Sequence, residues 1–403
     1  MDRKKTLINS SVSNNNSTIK GLQLFIADLR SAQQAQEQEK RIQSEIVKIK
    51  QHFDAAKKKQ GNHDRLGGYQ RKKYVAKLAY IYITSNTTKL NEILFGLEQT
   101  VELLKSSIFS EKFIGYMTLE LLYERSEVVA KVNDEVNYQL MKDLSSSDDN
   151  FVMLALNFVG VVGELTNRLA YNDDITTGVF KILRSPTSSI YLKKKSALSF
   201  LALLKSNHSI LTEDLQRKQL WIQRILSLLD DTENYRLTLA TIPLIEFIAK
   251  YIDPSFCTRL LPQLTEILYN CVVVGTSRSS DNQFPLEYTF ANMPNPWLIT
   301  KVVSLLSILI ASPTERDSGS LLQTNNIDNE LLNKLRKCVS VAIELGTRQA
   351  QDPMERIVQN TVLFSLINFA SKLDPSDEAI SNSVTALCSL LTSKEINIRY
   401  LTL

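Results

Sequence analysis

The chain has 403 residues, 43% hydrophobic and 22% charged, with a formal net charge of +4. That excludes a low-complexity or intrinsically disordered chain and leaves several compact domains or one continuous repeat array. Twelve glycines and ten prolines, the first proline being Pro186, exclude an architecture of short strands and tight turns over the first half, so helix is predicted.

Residues 1–18 are polar and rich in Ser and Asn and read as a disordered tail, without the apolar core of a signal peptide. Helical periodicity then begins. Leu22, Phe25, Ile26 and Leu29 form one apolar stripe, Ile42, Ile46, Ile49 and Phe53 a second, and Tyr74, Val75, Leu78 and Tyr82 a third. Residues 20–77 carry a net +8 and residues 1–19 a further +2, leaving −6 for the remainder. Such concentration of positive charge at one end is what a polyanion-binding surface needs.

Further along, LALNFVGVVGEL (154–165), SALSFLALLKS (196–206) and LATIPLIEFIAKY (239–251) recur at a spacing of about 42 residues. A two-helix unit of that period predicts a HEAT/armadillo-like all-α solenoid, an array of antiparallel helix pairs in which stacking supplies the core. Flexible loops are expected near 276–296 and 312–327. The solenoid is expected over 19–403, with the basic helices in 19–84, and the apolar face starting at TSKEINIRYLTL predicts that it continues beyond Leu403.

No catalytic constellation emerges. The three histidines, His52, His63 and His208, have no metal-ligand spacing, and GNHDRLGGYQRK (61–72) lacks the ending of a phosphate loop. The acidic pairs Asp148–Asp149, Asp173–Asp174 and Asp230–Asp231 read as caps and turns. Cys257, Cys271, Cys338 and Cys388 lie in apolar helical patterns without C-x-x-C spacing and are expected to be buried free thiols of a reducing compartment. No enzyme and no cofactor are expected, and no uninterrupted apolar run reaches membrane-spanning length. One constellation stands out: Arg71, Lys72, Lys73 and Lys77 at and after a helix start, with Lys57, Lys58 and Lys59 upstream. Basic side chains at the positive end of a helix are unfavourable, which points to an anionic ligand, with a solvated charged face as the plain alternative. Multivalent phosphate at a membrane is favoured over nucleic acid, for which no recognition motif is present.

The segments GLQLFIADLR (21–30) and GYQRKKYVAKL (68–78) resemble the start of α-adaptins, large subunits of the plasma-membrane clathrin adaptor. The resemblance continues in family order through SSIFSEKFIGY (106–116), LAL (154–156) with Gly163, KSAL (195–198), WIQR (221–224), MPNPWLITK (293–301), NTVLF (360–364) and EINIRYL (395–401). It implies a curved trunk that works in endocytosis and supports small, medium and second large adaptor subunits, with clathrin engaged indirectly. It implies a cytoplasmic, peripheral location at the inner face of the plasma membrane. It also implies headgroup binding of phosphatidylinositol 4,5-bisphosphate by Lys20, Arg71, Lys72, Lys73 and Lys77, with Lys57, Lys58 and Lys59 in a connection of different length. Arg30 matches a position that favours acidic dileucine sorting signals. Arg71 stands where the family commonly has lysine, which keeps the charge but changes phosphate geometry. The alternatives are a generic HEAT-repeat scaffold or transport receptor, or a large subunit of a related adaptor at another membrane.

Overall fold

The computed structural model describes residues 19–58, 66–85, 87–231, 234–277, 284–310, 327–348, 350, 352–373 and 377–403. The expected tail, the loop at 312–326 and part of the loop at 278–283 lie outside the described residues. Two compact units divide the chain, Met1–Phe180 and Lys181–Leu403.

In the first unit, α1 (Lys20–Ser31), α2 (Ala35–Lys58) and α3 (Gly68–Thr84) are followed by the single turn α4 (Leu90–Ile93). Next come α5 (Leu97–Leu104), α6 (Phe109–Leu122), α7 (Ser126–Leu144), α8 (Asp149–Leu165), the short α9 (Asn167–Ala170) and α10 (Asp173–Arg184), in which the division falls. Helices α3, α6 and α8 lie side by side as one layer, and α5 and α7 form the other. Phe25, Leu29, Ile42, Ile46 and Ile81 are buried together against Leu22, Tyr80 and Phe95, so the first two apolar stripes meet as the periodicity predicts. Tyr82 of the third stripe is only half-buried, and Ile81 takes its place in the core.

The second unit holds α11 (Ile190–Ser206), the turn α12 (Ser209–Thr212), α13 (Leu215–Leu226), α14 (Tyr235–Tyr251), α15 (Leu261–Tyr269), α16 (Pro296–Leu309), α17 (Asn329–Thr347), α18 (Pro353–Leu373), α19 (Asp377–Leu390) and α20 (Ile396–Thr402). Here α11, α14, α16 and α18 pack in a row, and α15, α17 and α19 line the other side. Short polar side chains start many of these helices: Ser189, Asp214, Asn234 and Asp328 accept backbone N–H groups of the first turn, as Asp148 does for α8. The expected loop at 276–296 contains a two-stranded antiparallel hairpin, β1 (Thr289–Phe290) against β2 (Met293–Pro294). Its two-residue turn puts Ala291 at φ 47° and Asn292 at φ 60°, the left-handed geometry that matches strand twist.

Three cysteines are buried as expected, whereas Cys388 is exposed. Among the described side chains of α19 only Ala386 and Ser383 are buried, so the stripe there is narrower than the sequence implied. Among the described residues no helix is long and apolar enough to cross a membrane, and no cluster of His, Cys, Asp and Glu could hold a metal ion.

Candidate anion-binding surface

Helix α3 begins at Gly68 with Gly67 as its cap, no side-chain cap and no acidic residue in its first turn. Four orphan N–H groups and the positive end of the helix dipole therefore need a negative partner from elsewhere. Glu111 of α6 lies there. A Cβ built on Gly68 would fall 2.2 Å from its Oε2, so a larger residue there would displace the carboxylate. Ser106 Oγ donates to the same carboxylate at 2.7 Å. The anion expected at this helix start is thus the protein's own, supplied 43 residues downstream, and an exogenous phosphate would have to bind to the side chains beside it.

The basic side chains part company. Lys72 is 3% exposed; its Nζ donates to Ser110 Oγ at 3.0 Å and lies 5.5 Å from the Tyr69 ring centre. The structure places it inside the α3–α6 contact and not on the surface, because α6 crosses the face that the sequence pattern leaves open. Lys77 is mostly enclosed: its Nζ donates to Glu45 Oε1 at 2.5 Å, with side chains 11% and 16% exposed, and it sits 5.1 Å from the Phe25 ring centre. Its charge is already matched within the fold.

Arg71, Lys73, Lys57 and Lys20 remain at the surface. Arg71 is half-buried, with Nε donating to Gln99 Oε1 at 2.8 Å. The remaining donors of a guanidinium can still meet an oxyanion. Lys73 is half-buried, its Nζ 4.3 Å from the Tyr74 ring centre, and its stem passes so close to Gly21 that a Cβ there would lie 2.6 Å from Lys73 Cδ. That close approach sets the start of α1, and with it the exposed Lys20, beside Lys73. Lys57 pairs with Glu98, the residue before Gln99, and both partners are more than half exposed. An ion pair so exposed contributes about 0–1 kcal/mol and exchanges readily for a stronger anion. The side chain of Lys58 and all of Lys59 lie outside the described residues.

Arg30 is exposed in the last turn of α1, where its charge complements the helix C-terminus. Ten residues of helix separate it from Lys20, a rise of about 15 Å, so it does not join the basic group. Nearby, Arg41 is held by Asp28 and Glu37, and these carboxylates raise its already high pKa.

The sequence did not reveal the partners Glu45, Glu98, Gln99 and Glu111. It also gave no sign of a buried network in which Asp143 accepts from Lys112, Tyr116 and Gln139. Apart from Gln139 and Asp143, a turn apart on α7, the partners in these contacts lie 27 to 43 residues apart in the chain. Only tertiary packing brings them together.

Paired helices stacked in two layers define a repeat scaffold of the armadillo/HEAT class. The importin beta crystal structure shares this fold with a TM-score of 0.51 at 11% identity, over 94% of this chain and 49% of that one. The model of the adaptin N terminal region matches residues 38–403, and the chain belongs to that family. Among its relatives, AP-2 complex subunit alpha-2 of Dictyostelium discoideum is 30% identical over 95% of this chain. AP-2 complex subunit alpha of Schizosaccharomyces pombe is 28% identical over 97%, and AP-2 complex subunit alpha-1 of Arabidopsis thaliana 27% over 95%. The chain spans 33–38% of the length of these relatives. The α-adaptin trunk resemblance read from the sequence is borne out.

Proposed function

We propose that this chain is the trunk of a large clathrin-adaptor subunit, which scaffolds partner subunits and touches a phosphoinositide membrane through Lys20, Lys57, Arg71 and Lys73. The observation that carries the lipid reading is the gathering of Lys20 and Lys73 at the close approach of α1 to α3, with Arg71 two residues before Lys73 on the side of α3 towards α5. Lys72 and Lys77 act from below, as packed cations that fix α3 against α6 and α2. Each basic residue close to an anionic surface contributes roughly 1 kcal/mol, so three or four bind marginally alone and depend on simultaneous partner or cargo contacts for residence. Scaffolding is supported by an exposed apolar stripe on α6, where Phe109 and Phe113 stack with ring centres 6.1 Å apart beside Ile108 and Met117. A stripe of this kind marks a surface that a partner covers. Arg30, apart from the basic group, is assigned to the acidic residue of a sorting signal presented with a small subunit. The chain acts on the inner face of the plasma membrane in coated pits.

The test is co-sedimentation with liposomes that contain or lack phosphatidylinositol 4,5-bisphosphate. Wild type is compared with Arg71→Glu/Lys73→Glu, leaving Lys72 intact because a buried charge reversal would unfold the helix pair. Lipid-dependent, salt-sensitive binding that the double variant loses is the expected result. Binding that survives the double change refutes the lipid surface.

A further inference from the structure

In the second unit a groove of about 530 Å³ opens between α13 with its following 3-10 turn and the segment that leads into α15. Its floor is apolar, from Leu226 and Leu260, and Leu220 stands exposed at its edge. Arg224 enters from the α13 side and Arg259 from the other. Helix α13 carries Arg217, Lys218 and Arg224 and no acidic residue. Arg217 stacks over Trp221, with its guanidinium carbon 4.5 Å from the ring centre, and Lys218 faces Asp253 at 3.4 Å. Arg224 and Arg259 differ: among the described residues neither forms an ion pair with a carboxylate. Arg259 Nη2 donates to the Gln223 carbonyl oxygen at 3.5 Å.

The groove also holds groups that a peptide would use. Asp230 accepts from Gln263 Nε2 at 3.3 Å, which leaves the enclosed Gln263 Oε1 without a donor. Ser227 and Gln223 add a hydroxyl and an amide at the rim. Two guanidiniums without a carboxylate partner among the described residues match carboxylate or phosphoryl oxygens with their planar forks. Amide, hydroxyl and carbonyl groups match the alternating donors and acceptors of an extended backbone, and the leucines take an apolar side chain. A flat anionic membrane fits worse, because it cannot follow the concavity.

We propose that this groove binds an extended peptide bearing anionic side chains, with Arg224 and Arg259 gripping its oxyanions and the Asp230 carboxylate opposing them.

The probes are fluorescein-labelled dodecapeptides rich in Glu, in phosphoserine or in Gln, each with one leucine, titrated with the full chain by fluorescence anisotropy. The Glu and phosphoserine peptides bind and the Gln peptide does not; their relative affinities identify the preferred oxyanion. Arg224→Gln/Arg259→Gln weakens binding at least about tenfold, since each lost charge-assisted contact is worth on the order of one decade. Arg224→Lys/Arg259→Lys recovers part of it, because a point charge lacks the fork. Asp230→Asn tightens binding severalfold, a gain that misfolding cannot imitate. No binding by wild type, unchanged affinity in the double Gln variant, or no gain in Asp230→Asn overturns the proposal. So does a double Gln variant that loses binding to phosphatidylserine vesicles while still holding the peptides.

Discussion

Removing the Asp143 carboxylate tests how the first unit is held together. Lys112 and Asp143 are 2% and 3% exposed. Lys112 Nζ donates to both carboxylate oxygens at 2.8 Å and to the Leu104 carbonyl, with the Phe151 ring centre 5.0 Å away. Tyr116 Oη donates to Asp143 at 2.7 Å and Gln139 Nε2 at 2.9 Å. Asp143→Ala therefore strands a buried ammonium, a phenol and an amide together. Breaking a buried pair from one side costs about 3–5 kcal/mol. For a unit of this size that lowers the melting temperature by about 10 °C. Lys112→Met/Asp143→Leu removes both charges and should lose much less than the sum of the two single changes, because no ion is left uncompensated. Thermal unfolding followed by circular dichroism, run as a double-mutant cycle, measures this directly. A single-variant loss below about 1 kcal/mol, or strict additivity, would refute the account of Asp143 as the hub of the network.

Three further expectations follow from local geometry. Gly68→Ala, which in an open helix would be neutral or stabilising, should lower the melting temperature by driving a methyl group into the Glu111 carboxylate, and Glu111→Ala should relieve that loss. Burial pushes Tyr123 up to about 12 and Tyr116 well above the usual phenol range, the nearby Asp143 adding to the latter. Their contribution is complete below pH 10 and is lost as pH rises from about 10 towards 12, each group adding a slope of about 1.4 kcal/mol per pH unit, so urea midpoints should fall over that window and Tyr123→Phe should flatten the fall. Among the cysteines, only Cys388 should react promptly with a maleimide; burial pushes Cys257, Cys271 and Cys338 up to about 12, and mass spectrometry should find them labelled only after unfolding.

The helices themselves were legible in the sequence because burial of one face imposes a 3.6-residue period on the apolar residues. Leu22, Phe25 and Leu29, or Ile42, Ile46 and Phe53, declare their inward face without knowledge of what covers it. The repeat spacing of about 42 residues likewise determined the two-layer class, since one helix pair cannot bury its own face. Which basic residues point outward was decided only by tertiary structure. Helix α3 is covered by α1, α2, α5 and α6, so it buries Lys72, Tyr74, Val75, Ala76, Leu78, Ala79 and Ile81 almost all the way round. Periodicity cannot name a solvent face on a helix that barely has one. The same packing brings Glu45 to Lys77 and Glu111 to Gly68. It also brings Asp143 to Lys112 across 31 residues. A charge in the sequence has a sign and a position along the chain, but its partner depends on which helices cross, and that is settled by the packing of apolar faces elsewhere.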